Sequence, residues 1–195
     1  MGRNAIQTGV AGRRAGSPRP VGFTLIELMV TIAVLAIVLG IAVPSFQGIT
    51  NRNRLTAITN EVVGAVQLTR MEAIRRNQRV VMCPTTNGST CNGGDWTRIV
   101  VREAVAGGDV IREFRFLGRG ISVNASSNIT TGNQLSFNSS GFARAGTNAA
   151  NTTGAIRVCT TVLGAGENAR DLQVAVSRIS VTPTGSAGCQ APGNG

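Results

Sequence analysis

Residues 23–43 read FTLIELMVTIAVLAIVLGIAV, an apolar run broken only by Thr24, Thr31 and Glu27. Nothing else in the 195-residue chain restricts its fold as strongly. A run of 43 − 22 = 21 residues rises about 30 Å as an α-helix, the thickness of a bilayer's hydrocarbon core. Ahead of it, residues 1–22 hold Arg3, Arg13, Arg14 and Arg19, no acid and no hydrophobic pattern. They read as a leader rather than as folded structure. By the positive-inside rule the leader stays cytoplasmic and the remainder is exported.

The run is too long for the core of a secretory signal, and no A-x-A site follows it. A plain membrane anchor fits the length but leaves Glu27 unexplained. A carboxylate in hydrocarbon costs roughly 2.5–3.5 kcal/mol on insertion scales and needs a partner. Glu27 lies one helical turn after Phe23. Cleavage between Gly22 and Phe23 would place a new α-amine within its reach, and a neighbouring subunit's amine would serve equally well. On this reading the acid is a pairing device in an assembly.

Composition removes most catalytic classes. All 19 basic residues are Arg, and the chain has no Lys, His or Tyr. Without His there is no Ser-His-Asp or Cys-His nucleophile and no His-ligated metal. Without Lys there is no Walker phosphate loop and no Schiff base. Asp95, Glu103, Asp109 and Glu113 are scattered acids, not a pair placed for acid–base chemistry. The expectation is a non-enzyme without a cofactor. A hydrophobic fraction of 42% suffices for a core, and an aromatic fraction of 4% is too small for a broad base-stacking surface.

Between Ser45 and Arg79 there is no proline, and Leu55, Ile58, Val62, Val66 and Ala73 recur near helical spacing, with Ala65 and Thr69 beside them. This predicts an amphipathic stalk helix over 44–79 that continues the apolar one, a helix of about 85 Å in all. Its apolar stripe needs a partner, and a β-sheet is the natural one. Residues 80–195 then turn strand-like: 79–83, 97–102, 110–117, 135–137, 155–161, 172–176 and 179–181 are β-branched or alternating. In 110–116, Val110, Phe114 and Phe116 share parity and should face the core, with Glu113 and Arg115 in water. A change of apolar parity after Val176 predicts a turn or bulge at Ser177-Arg178. Residues 118–154, rich in Asn, Ser, Thr, Gly and Ala, predict long loops with one short strand. Trp96 is expected in the core and Asp95 at a turn. Asn87-Gly-Ser, Asn124-Ala-Ser, Asn128-Ile-Thr, Asn138-Ser-Ser and Asn151-Thr-Thr match glycosylation sequons but read as turn composition.

Gly22-Phe23-Thr24-Leu25-Ile26-Glu27 resembles the cleavage motif of type IV prepilins and type II secretion pseudopilins, a motif of high specificity directly ahead of an apolar helix. The resemblance implies cleavage after Gly22 by prepilin peptidase, N-methylation of Phe23 and a filament-register role for Glu27. Pro44 matches a helix-kinking proline common in that family; a proline there removes one helical hydrogen bond and bends the helix. Residues 69–76 (TRMEAIRR), 80–83 (VVMC), Cys91 and Asp95-Trp96 are similar to the GspH/FimT branch. That branch comprises minor pseudopilins and minor pilins. It implies an α+β fold, a long N-terminal helix packed on antiparallel β-sheets. It also implies a place in the bacterial inner membrane with the C-terminal domain in the periplasm, and other pilin or pseudopilin subunits as partners. The similarity is good to about Val101 and beyond that rests on strand pattern.

Four cysteines, Cys83, Cys91, Cys159 and Cys189, lie outside the membrane segment. An even count in an exported chain predicts two disulfides among three connectivities. Cys83–Cys91 and Cys159–Cys189 are favoured, the first closing a short Asn-Gly-Ser loop and the second pinning the C-terminal tail. Structural zinc would want pairs two to four residues apart, and these are eight and thirty apart, so no metal is expected.

Loss of the leader leaves 19 − 4 = 15 Arg against 9 acids, a net +6. Such a domain can attract nucleic acid through its phosphates or sit near anionic lipid. The FimT side of the family includes DNA-binding minor pilins whose binding element is a Gly-Arg-x-Arg turn. Here the matching stretch is Ser177-Arg178-Ile179-Ser180, so one of the two charges is missing. Arg157, Arg170 and Arg178 form a DNA-contacting patch only if the fold brings them together.

Overall fold

The computed structural model describes residues 22–195; apart from Gly22, the expected leader lies outside the described residues. The chain divides at Val43/Pro44 into two compact units. One long helix, α1 (Leu25–Arg76), serves both. Residues 25–43 are its part in the first unit, and their apolar side chains are exposed throughout. The helix is long and apolar enough to cross a membrane.

In the second unit α1 is amphipathic for the reason its spacing gives. Leu55, Ile58, Thr59, Val62, Ala65, Val66, Thr69 and Ala73 are buried, a stripe stepping by three and four residues along one face. The two buried threonines cost nothing in unpaired hydroxyls: Thr59 Oγ1 donates to the Leu55 carbonyl and Thr69 Oγ1 to that of Ala65, each at 2.7 Å. α1 runs through Pro44. The helix stops at Arg76, not at Arg79 as the periodicity predicts. Asn77 adopts a left-handed φ of 51°. The Asn77 N–H donates to the Ile74 carbonyl and the Gln78 N–H to that of Ala73, each at 3.2 Å, which is the Schellman closure of a helix end.

Nine strands follow: β1 (Val80–Pro84), β2 (Arg98–Glu103), β3 (Val110–Arg115), β4 (Ile121–Ala125), β5 (Leu135–Phe137), β6 (Ala143–Ala145), β7 (Thr153–Thr160), β8 (Ala169–Ala175) and β9 (Arg178–Thr184). They form a five-stranded sheet, β3-β2-β1-β5-β6, and a four-stranded sheet, β4-β7-β8-β9. Every pairing is antiparallel. The buried stripe of α1 joins Val80, Met82, Ile99, Leu135 and Phe137 of the first sheet and Val123, Ile156, Val158, Leu172 and Val174 of the second in one core.

The expectation of loops over 118–154 is corrected. This stretch contains β4, a single-turn helix α2 (Ser127–Thr130), β5 and β6. β4 buries Val123 and Ala125 while Ser122 and Asn124 alternate with them, so polar residues on its other face mask a half-buried strand. β6 is Ala-Arg-Ala, too small and too short to register as a strand by pattern. Val110 also departs from expectation: it is 44% exposed, and Ile111 packs on the core in its place. The register explains the switch. Val101 pairs with Arg112 but Arg102 with Val110, so Ile111 is the extra residue of a bulge, and parity inverts across it. Glu113, expected in water, is half-buried, 2.7 Å from both Arg98 Nε and Arg115 Nε.

Trp96 is buried and its indole N–H donates to Asn133 Oδ1 at 3.0 Å. The Asp95 carbonyl accepts from the Arg98 N–H in the adjacent turn. Two sequon asparagines do build turns: Asn87 Oδ1 accepts from the Ser89 and Thr90 N–H groups, and Asn138 Oδ1 from those of Ser140 and Phe142. Asn124 sits instead in β4 and Asn128 in α2.

Candidate functional site

The amino-terminal end of α1 is assembled from Thr24 and Glu27. The Glu27 N–H donates to Thr24 Oγ1 at 3.2 Å and the Leu28 N–H to the Thr24 carbonyl at 3.1 Å. Thr24 is therefore the N-cap and Glu27 the third helical residue. The Thr-x-x-Glu spacing is that of a capping box, the one local signal for Thr24's role. Glu27 also lies in the first turn, where the helix dipole favours an anion. Its carboxylate is exposed among Leu25, Ile26, Leu28 and Met29, which are exposed as well. Gly22 and Phe23 precede the helix in extended, exposed chain. The end of the rod thus carries one acid, one turn from Phe23, on an uncovered apolar surface.

The three arginines proposed as a patch do not come together. Arg157 and Asp171 are cross-strand partners, and Arg157 Nε and Nη2 reach the two Asp171 oxygens at 2.6 and 2.7 Å. Arg157 Nη1 also donates to Ser186 Oγ at 3.1 Å and to the Gln190 carbonyl at 3.0 Å. That bonding to Asp171 holds the Arg157 guanidinium above its usual range against the opposing effect of burial. Arg170 has the parity of the core residues Leu172 and Val174, so it lies on the opposite face of the sheet from Arg157. Its Nη1 donates to the Ala169 carbonyl at 2.9 Å. Arg178 is exposed at the start of β9, opposite Ala175. The turn, expected at Ser177-Arg178, is a two-residue link one residue earlier, Val176-Ser177, and Val176 takes a left-handed φ of 40°. Arg70 of α1 braces it by donating from Nη1 to the Ser177 carbonyl at 2.7 Å.

Both disulfides are present, Cys83–Cys91 and Cys159–Cys189. The first ties the 85–92 loop over Val81, Cys83 and Val100 on the outer face of the first sheet. The second joins the tail to β7, where Cys159, Ala169 and Cys189 bury together. Asn124 Nδ2 donates to the Cys189 carbonyl at 2.8 Å and adds a third tether. At the other end of the second unit the last turn of α1 holds a chain of ion pairs. Glu72 meets Arg75 at 2.6 Å and Arg76 at 2.8 Å, and Arg76 reaches Glu103 at 2.7 Å. The arginines hold the Glu72 and Glu103 carboxyls below the ordinary carboxylate range, as Arg98 and Arg115 do for Glu113.

A capped apolar helix followed by two antiparallel sheets is a pilin-type fold. Among solved structures the chain is similar to the type IV minor pilin FimU of Pseudomonas aeruginosa. That match has a TM-score of 0.54 and 19% identity over 73% of this chain and 99% of that one. A second crystal form of FimU gives 0.50 and 17%, over 69% and 99%. Residues 22–43 match the prokaryotic N-terminal methylation motif. A fimbrial protein of Pseudomonas aeruginosa is 38% identical over 64 residues, which span 33% of this chain and 41% of that protein. Residues 59–185 match the family described as type II transport protein GspH. The chain belongs to the GspH family of minor pilins and pseudopilins.

Proposed function

We propose that the chain is a structural, non-enzymatic subunit of a type IV pilus or type II secretion pseudopilus, acting at filament initiation or at the tip. On this reading prepilin peptidase cuts after Gly22, Phe23 is N-methylated, and the subunit waits in the inner membrane with its globular unit in the periplasm. Extraction then buries residues 23–43 against other subunits. Hydrophobic packing drives the bundling, but it is non-directional. Glu27 supplies what packing lacks: a lone carboxylate in an apolar bundle is stable only beside a cation, and the Phe23 amine of a neighbour fits that need. Pro44 is proposed to let the helix bend as it enters the bundle. The observation that carries the reading is the uncovered apolar helix with its single acid one turn from Phe23. Mass spectrometry of the protein from its host tests it: the expected terminus is methylated Phe23, and an intact leader overturns it.

Of the three arginines Arg157, Arg170 and Arg178, a DNA-receptor role can draw only on Arg178, because Arg157 is spent on Asp171 and the tail and Arg170 faces the other way. A salt-sensitive mobility shift of the detergent-solubilised chain, lost in Arg178→Ala, is the outcome that would favour it.

A further inference from the structure

The outer face of the five-stranded sheet carries a pocket unrelated to the helix end. In register, Val81 of β1 lies beside Ser136 of β5, and Ser136 beside Arg144 of β6. Arg79, two residues before Val81, shares its face. Arg79, Ser136, Asn138, Arg144, Thr152 and Val176 all line one cavity of about 230 Å³.

Several independent features of this cavity call for a ligand. Neither Arg79 nor Arg144 forms an ion pair among the described residues. Ser136 is 1% exposed, and its hydroxyl has no hydrogen-bond partner there. A buried hydroxyl without a partner is costly and asks for an acceptor. Asn138 spends its Oδ1 on the Ser140 and Phe142 N–H groups, which leaves its amide N–H groups to donate. No carboxylate lines the cavity, so its side-chain polarity is that of donors and cations. One wall is strained: Val176 is β-branched at φ 40°. It is held there by its N–H to the Thr152 carbonyl at 3.0 Å and by its own carbonyl, which accepts from Ala143 at 2.6 Å. The positive φ is that of the first residue of the two-residue β8–β9 hairpin, so the turn fixes this wall.

We propose that this pocket binds a phosphate group. Two guanidinium forks, one from the β1 side and one from β6, line the cavity together with a hydroxyl and an amide, the donor types an oxyanion needs. A tetrahedral phosphate uses such an arrangement fully, whereas a planar carboxylate is satisfied by one fork along its edge. The same group arrives as inorganic phosphate or on a phosphodiester backbone.

Calorimetric titration of the full-length chain in detergent with sodium phosphate, against sodium chloride at matched ionic strength, tests the site. Phosphate-specific binding is expected, weakened at least tenfold in the Arg79→Gln and Arg144→Gln double variant. Ser136→Ala separates binding from folding: it should weaken phosphate several-fold while leaving the ligand-free thermal midpoint unchanged or raised. No phosphate-specific heat, equal affinity in the double variant, or full affinity in Ser136→Ala overturns the proposal. Competition by a short oligothymidylate at lower concentration than phosphate assigns the site to a phosphodiester chain. Competition by glycerol phosphate but not by the oligonucleotide assigns it to a small phosphate. Either result supports the site.

Discussion

Arg157 of β7 and Asp171 of β8 lie directly opposite each other and join through two parallel hydrogen bonds of 2.6 and 2.7 Å. Their side chains are only 13% and 10% exposed. The remaining guanidinium nitrogen holds Ser186 and Gln190, so one arginine fastens the sheet to the C-terminal tail.

Removal of that arginine strands a buried carboxylate. Arg157→Ala should cost about 3 kcal/mol, the scale for breaking a buried pair from one side. For a protein of this size that is roughly 6–12 °C in melting temperature. Arg157→Ala combined with Asp171→Ala should recover part of the loss; thermal denaturation of the single and double variants checks both.

Glu72, Glu103 and Glu113 are all held below the ordinary carboxylate value of 4.5 by arginine partners. As pH falls through that value the unfolded chain protonates first, so stability declines with acidification. It should be flat from neutral pH to about 5, then fall until the folded-state carboxyls are themselves protonated. Glu103→Gln should flatten the acid limb, as urea midpoints measured across the range would show.

Reduction should weaken the two bridges unequally. Cys159–Cys189 spans 30 residues and Cys83–Cys91 spans 8, so loop closure alone assigns about 3.6 and about 2.5 kcal/mol. Paired Cys→Ala variants, Cys159/Cys189 against Cys83/Cys91, should differ by about 1 kcal/mol in that order. Chemical denaturation reads the difference.

Thr24 and Glu27 should separate in their effects. Thr24→Ala removes a helix cap, about 1 kcal/mol, and leaves the acid in place. Glu27→Ala should insert into the membrane normally yet fail to enter filaments. The ratio of sheared to membrane-bound subunit measures both, and equal incorporation of Glu27→Ala and wild type speaks against the register role.

Gly146 has φ +71°, and an added Cβ would run into the carbonyl oxygens of Thr131 and Asn128. Gly146→Ala should destabilise by about 2 kcal/mol or more, read as a lowered urea midpoint.

Periodicity made the helix legible. The stripe from Leu55 to Ala73 is buried on the face its spacing defines, because helical geometry repeats within a few residues of sequence. Strands with apolar alternation, such as 135–137, were legible for the same local reason. Those with Ala, Ser and Asn at most of their positions, β4 and β6, were not. The bulge that exchanged Val110 for Ile111 arises from the partner strand, so β3 alone carries no sign of it.

The sequence by itself determined the apolar rod, its single acid, the α+β order and the cysteine inventory, since each is written in contiguous residues or simple counts. The tertiary structure alone decided which arginines remain available. Arg157 met Asp171 through strand pairing, Arg170 was turned to the other face by alternation, and Arg79 and Arg144 were brought beside Ser136. Charge depends on how many arginines a chain contains, whereas a binding site depends on the directions in which folding leaves them pointing.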